Sequence, residues 1–91
     1  PQDRSPGIGC IGSGFIMADC HLVAYRQAGF RPVAITSRQR ANAEKVSARH
    51  QIPRVHDDVR SLAADPEVQV VDVAVPPDLQ FGVIREVLAH G

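Results

Sequence analysis

The chain has 91 residues, 44% of them hydrophobic and 22% charged, with ten Lys and Arg balancing ten Asp and Glu to a formal net charge of zero. That length admits one small domain with a thin core, and zero net charge argues against nucleic acid or an anionic membrane as the main partner. No apolar run approaches the roughly 20 residues of a membrane span, and Pro1-Gln2-Asp3-Arg4 has no signal-peptide apolar region, so a soluble cytoplasmic protein is expected.

Residues 1–6 read as a tail, and residues 7–91 alternate short β-branched runs with segments of helical period. This is the pattern of a parallel sheet covered by helices. The first strand is predicted over Ile8 to Ile11, followed by the glycine-rich turn Gly9-Cys10-Ile11-Gly12-Ser13-Gly14-Phe15-Ile16-Met17. Such a turn suits a dinucleotide pyrophosphate, because glycine lets phosphate oxygens approach backbone N–H groups and the next helix offers its positive end. The glycines fit in two registers. Gly7-Ile8-Gly9-Cys10-Ile11-Gly12 matches GxGxxG literally, but it puts the strand in proline-containing residues 1–6 and Gly14 inside a helix, where glycine costs about 1 kcal/mol relative to alanine. The other register makes Gly12 the tight-turn glycine and Gly14 the close-approach glycine, and is preferred. Its third small-residue position falls on Met17, which predicts a helix held slightly away from the strand.

Helix one is predicted from about Phe15 to Ala28, with Met17, Cys20, Ala24 and Ala28 on one face and Gly29 as the stop. Cys10 and Cys20 form neither a CxxC pair nor a disulfide framework, and are expected to be small core residues in a reducing compartment. Strand two follows at Arg31 to Thr36, then helix two from about Arg40 to His50 with Ala43, Val46 and Ser47 at helical spacing. A short strand at Arg54 to His56 leads through Asp57-Asp58 into a brief helix, Val59 to Ala64. Strand four is predicted over Val68 to Val75, too apolar for a strand with a wet face. Pro76-Pro77 ends it, and Asp78 is placed to cap a last helix whose Leu79, Val83, Ile84, Val87 and Leu88 share a face. Four βα units in succession make a partial, Rossmann-like, doubly wound α/β sheet; a full one has about six strands.

The end of strand two carries the sharpest local inference. An NAD site commonly has an acid about 20 residues past the glycine loop, whereas this chain reads Ile35-Thr36-Ser37-Arg38-Gln39-Arg40. Without a carboxylate to repel a 2′-phosphate, and with two guanidiniums able to pair with it, NADP is favoured over NAD. The competing reading makes Ser37 the cap of helix two and the arginines solvated charges. His21 either faces the cleft or hydrogen-bonds within the domain, the second being the commoner behaviour. His56 beside Asp57-Asp58 does not make a metal site, and N-capping is the better reading of the two acids. Asp72, inside an apolar strand, needs partners. His50 and His90 lie near helix C-termini, where a solvated or dipole-interacting histidine is ordinary.

Taken jointly, Gly-Cys-Ile-Gly-Ser-Gly-Phe-Ile-Met-Ala-Asp-Cys-His, Ala-Tyr-Arg-Gln-Ala-Gly-Phe, Val-Ala-Ile-Thr-Ser-Arg, Val-His-Asp-Asp and Asp-Val-Ala-Val-Pro-Pro resemble the N-terminal domain of the Gfo/Idh/MocA oxidoreductases, from Gly7 to Gly91. The resemblance implies an NAD(P)-binding Rossmann domain whose parent moves a hydride to or from a sugar, inositol or related polyol held by a second domain, in a homo-oligomeric protein. It implies that Gly12, Ser13, Gly14, Phe15 and Ile16 form the pyrophosphate loop, that Ser37 and Arg38 read the adenosine ribose, and that Pro76 and Pro77 form a turn beside the nicotinamide. Asp78 and Phe81 stand where the family often has Asn and His. The family's Glu-Lys-Pro motif, with its catalytic lysine, is expected beyond Gly91, so no catalytic residue or metal ligand is assigned and the fragment alone is expected to be inactive. Two other classes compete: a non-catalytic dinucleotide-sensing or scaffold domain, which the same fold can serve, and a methyltransferase, which usually wants an acid where Ser37-Arg38 stands.

Overall fold

A computed structural model describes residues 5–14, 16–75 and 77–90, without the side chains of 77–79, 81 and 90. Strands β1 (Gly7–Ile11), β2 (Arg31–Thr36), β3 (Arg54–Val55) and β4 (Val70–Val73) alternate with helices α1 (Leu22–Ala28), α2 (Arg40–His50), α3 (Val59–Ala63) and α4 (Pro77–His90), and a π-helical segment, Ile16–His21, precedes α1. The four strands form one parallel sheet in the order β3-β2-β1-β4. β1 is flanked on both edges and covered on both faces, and all five of its residues are buried. Gly7 and Gly9 therefore belong to the strand, and the turn takes the register based on Gly12 and Gly14.

Two apolar clusters sandwich the sheet. Ile8, Cys10 and Ile35 pack with Met17, Ala18 and Leu22 and with Ala43 and Val46 of α2. On the opposite face Ile11 and Ala34 pack with Leu62 of α3 and the half-buried Val83 and Val87 of α4. Met17 is wholly buried, so its side chain fills the space between the π-helical segment and the sheet that the expected third small residue would have closed.

The predicted face of helix one needs correction. Met17, Ala18 and Leu22 are its buried residues, whereas Cys20, Ala24 and Ala28 are exposed. The cause is local: Ile16–His21 winds as a π-helix, which spaces inward positions by five residues rather than four and so moves the buried stripe. His50 is an identifiable contributor. Its Nε2 lies 2.7 Å from the Ala18 carbonyl, and a side chain bonded to a helix carbonyl is a known cause of a break in the i→i−4 ladder. The carbonyl can only accept, so Nε2 carries the proton and Nδ1 is left to accept from Arg26 Nη1 at 3.4 Å. His50 is thus a buried structural residue, not a solvated one.

β4 is also shorter than its apolar run. It covers Val70–Val73 and lies at the edge of the described sheet, where Val70 is exposed. Val68, expected in the strand, instead donates its N–H to the Asp65 carbonyl at 3.0 Å in the preceding turn. α4 begins at Pro77, the first-turn position at which proline loses nothing, so Asp78 is within the helix rather than its cap; the side chains of Asp78, Leu79 and Phe81 are outside the described residues. The apolar face of α4 centres on Val83 and Val87, while Ile84 and Leu88 are exposed. Among the described residues no helix is long and apolar enough to cross a membrane.

Candidate functional site

Strand order places the site. From β1 the chain steps to β2 and β3 on one side and to β4 on the other, and the crevice beyond the carboxyl ends of strands that diverge in this way is where α/β sheets bind ligands. A cleft of about 830 Å3 opens there, lined by Ile11, Gly12, Ser13 and Gly14 at the end of β1, Thr36 to Gln39 at the end of β2, Asp57 to Val59 after β3, Ala74 and Val75 after β4, and by Asn42, Val83 and Glu86.

The glycine loop is built by two different steric requirements. Gly12 has φ 114°, and a Cβ there would stand 2.3 Å from the Ala74 carbonyl oxygen, so only glycine makes this turn. Its N–H donates to the Thr36 carbonyl at 2.9 Å, fixing the loop to the end of β2. Gly14 is the reverse case: a Cβ would meet nothing within 4 Å, and the space it leaves belongs to the cleft. Among the described residues the amides of Ser13 and Gly14 donate no hydrogen bond, while the Gly14 carbonyl accepts from Ala18 N–H at 2.8 Å as the helical segment begins. Thr36 is 2% exposed and its Oγ1 has no partner among the described residues.

The β2 end differs from its capping interpretation. Ser37 Oγ donates to the Gln39 carbonyl at 2.8 Å, and Gln39, not Ser37, occupies the N-cap of α2, without a side-chain cap. Arg38 is exposed and makes no ion pair among the described residues. The second expected guanidinium is committed elsewhere. Arg40 Nη1 donates to Asp57 Oδ1, and its Nε lies 3.8 Å from Glu44; Arg40 does not line the cleft.

Asp57 and Asp58 thus divide their work. Asp58 accepts from Ser61 N–H at 2.8 Å and caps α3 as expected, and that amide holds its carboxyl below the usual range. His56 turns to Asp65, with Nε2 2.8 Å from Oδ2. Asp65 is buried, which by itself would raise its pKa, but the Glu67 N–H, His56 and the two-pronged Arg54 guanidinium at 2.7 and 2.8 Å hold it below the ordinary carboxylate value. Among the described residues no group of three or more His, Cys, Asp or Glu is arranged to hold a metal ion.

Of the residues predicted from sequence, the cleft brings together Gly12, Ser13, Gly14, Ser37 and Arg38. Ile16 is exposed at the start of the π-helical segment, outside the cleft lining. Phe15 and Pro76 lie outside the described residues, as does the side chain of Pro77. Thr36, Gln39, Asn42, Val59, Ala74, Val75 and Glu86 were not anticipated. For Gln39, Ala74 and Val75 the available signal was position alone, since they follow strands that the parallel pattern had already located, whereas Thr36 ends β2 and Asn42, Val59 and Glu86 lie in helices.

His21 stays within the domain rather than in the cleft. Its Nδ1 donates to Asp72 Oδ2 at 2.8 Å and the Tyr25 hydroxyl donates to the same oxygen at 2.6 Å, which supplies the partners that a carboxylate in an apolar strand requires.

Comparison with known proteins gives a consistent result. The family model described as oxidoreductase family, NAD-binding Rossmann fold, Gfo/Idh/MocA, matches residues 7–91. An uncharacterized oxidoreductase of Synechocystis is 32% identical over 92 residues, covering 97% of this chain and 24% of the relative. An oxidoreductase of Thermotoga maritima superposes with a TM-score of 0.88 at 30% identity, over 97% of this chain and 28% of that one. Levoglucosan dehydrogenase in complex with NADH and L-sorbose superposes with a TM-score of 0.78 at 26% identity, over 93% and 25% of the two chains. The chain thus spans about a quarter of the length of these proteins.

Proposed function

The chain belongs to the Gfo/Idh/MocA oxidoreductases with an NAD-binding Rossmann fold, and from that premise we propose that residues 7–91 hold the dinucleotide of a dehydrogenase acting on a sugar, inositol or related polyol. The observation that carries this reading is the glycine loop: Gly14 leaves open space beside the Ser13 and Gly14 amides, which donate no hydrogen bond among the described residues, the shape and polarity a pyrophosphate needs. The orphaned Thr36 Oγ1 beside that loop is a further polar group at the cleft in want of a partner.

The chain's own residues are assigned as follows. Gly12, Ser13 and Gly14 cradle the phosphates, with Phe15 and Ile16 completing the loop; Ser37 and Arg38 face the adenosine ribose; Pro76 and Pro77 shape the turn beside the nicotinamide. Once bound, the nicotinamide supplies the hydride donor or acceptor, and this domain's task is to orient it. No residue of 7–91 is given a proton-transfer role. The polyol class is supported by the likeness to levoglucosan dehydrogenase, and the two free cysteines accord with a cytoplasmic protein.

NADP is the preferred cofactor on this reading. Arg38 lies on the cleft wall with no ion-pair partner among the described residues, and no acid occupies the strand-two terminus, so a 2′-phosphate gains a charge-assisted partner that NAD cannot use. Titration of the intact protein by nicotinamide fluorescence is expected to give tighter binding of NADPH than of NADH. Equal affinities, with no loss on Arg38→Ala, would overturn the preference.

A further inference from the structure

We propose that Asp57 sets the dinucleotide preference by keeping Arg40 in an exchangeable ion pair, so that Arg40 is a reserve cation that passes from Asp57 to a ribose 2′-phosphate. The inference rests on the reading that the ribose lies at Ser37 and Arg38. Arg40 opens α2 two residues after Arg38, on the segment that leaves the cleft wall. Its guanidinium is nevertheless turned to Asp57 of the β3–α3 loop, and Asp57, unlike Arg40, lines the cleft. The carboxylate that holds this cation therefore sits where a phosphate at the β2 terminus would compete for it.

Solvent exposure makes the exchange possible. The Arg40 and Asp57 side chains are 48% and 76% exposed, and an ion pair so open to water contributes little. A phosphate dianion offers the same guanidinium more charge and a two-pronged acceptor geometry. Asp57 left behind stays hydrated, so its release carries no burial penalty. Glu44, 3.8 Å from Arg40 Nε, remains as a second, weaker tether. NADH carries only hydroxyls at the adenosine ribose, with no phosphate there to draw Arg40 away, so its affinity is independent of the pair. Asp57 then acts as a competitor that weakens NADPH binding in proportion to its hold on Arg40.

Fluorescence titration of the intact protein with NADPH and NADH separates these roles. Asp57→Asn is expected to tighten NADPH by about threefold or more and Arg40→Ala to weaken it by about fivefold, with NADH within about twofold in both. Arg40→Lys should restore only part of the loss, because an ammonium lacks the fork. Parallel shifts for both nucleotides, or an unchanged ratio in Asp57→Asn, would overturn the proposal. Arg38→Ala tells the two failures apart. If it weakens NADPH while the Asp57 and Arg40 variants do not, only the exchange is wrong; if it too has no effect, the ribose assignment fails and the exchange with it.

Discussion

The Tyr25 hydroxyl donates to the Asp72 carboxylate at 2.6 Å, tying α1 to β4 across the sheet face. His21 Nδ1 reaches the same oxygen at 2.8 Å, so a residue from the π-helical segment and one from α1 converge on one strand position. The pairing also conditions its neighbours. Cys10, opposite Asp72 in the ladder, has its thiol pushed up to about 12 by burial and, secondarily, by the Asp72 charge, while burial and the bond to Asp72 push the Tyr25 hydroxyl upward. Removing one donor should cost less than removing the shared acceptor. Tyr25→Phe is expected to lower unfolding stability by about 1–2 kcal/mol, and Asp72→Ala by more, since it strands two donors. Urea denaturation of the two variants checks the order, and a milder effect for Asp72→Ala would contradict it.

The two loop glycines should separate stability from binding. Gly12→Ala meets both an unfavourable φ and the Ala74 carbonyl, so a loss of about 2 kcal/mol or more is expected. Gly14→Ala meets nothing in the free protein and should leave thermal stability nearly unchanged, within about 0.5 kcal/mol, while weakening dinucleotide binding through the methyl it projects into the cleft. Melting curves with and without nucleotide distinguish the two; a destabilised Gly14→Ala would show that the space is not open.

Arg38 is expected to act on one cofactor only. Its replacement by alanine should cost about tenfold or more in NADPH affinity, equivalent to ~1.4 kcal/mol, with NADH little changed. Rising salt should narrow the wild-type gap between the cofactors, because the contact is exposed and charged.

Asp65 links the fold to acid. Its pKa is lower in the folded protein than the ordinary aspartate value of about 3.9, so its contribution is fully present above that value and is lost as pH falls from it through the folded-state value. Asp65→Asn should therefore lower the melting temperature at neutral pH, and the gap to wild type should close as pH is taken below about 4. A gap that stays constant down to pH 2 would place the effect elsewhere.

The cysteines should differ in reactivity. Cys20 is exposed, whereas Cys10 is wholly buried and its thiolate strongly disfavoured. A disulfide reagent at pH 8 is expected to modify Cys20 alone in the native protein and both cysteines after denaturation.

Local pattern was sufficient where local forces decide. Arg31–Thr36 and Arg40–His50 match their predicted limits, because β-branched residues followed by polar ones mark the strand and the apolar spacing of Ala43 and Val46 marks the helix. The glycine register was legible because only one choice kept proline out of the strand and glycine out of the helix. What escaped depended on distant partners. The inward stripe of helix one followed the π-turn and the His50 contact with Ala18, which no window of sequence contains. The Arg54–Asp65–His56 cluster joins residues across a loop, although Arg54 and His56, two apart on an extended run, already shared a face. The commitment of Arg40 to Asp57 was invisible for the same reason: charge count counts cations without saying which are taken.

The π-turn makes chain length itself a determinant of this domain. Between the glycine loop and His21 the segment accommodates its residues in wider turns than an α-helix, so a single deletion there can be absorbed by a return to α-helical winding, whereas one added residue would rotate one end against the other by about 100°. Either Met17 would then leave the core or His21 would leave Asp72. An insertion in this short stretch would thus cost either the phosphate loop's connection to the core or the brace to β4, whichever end turned.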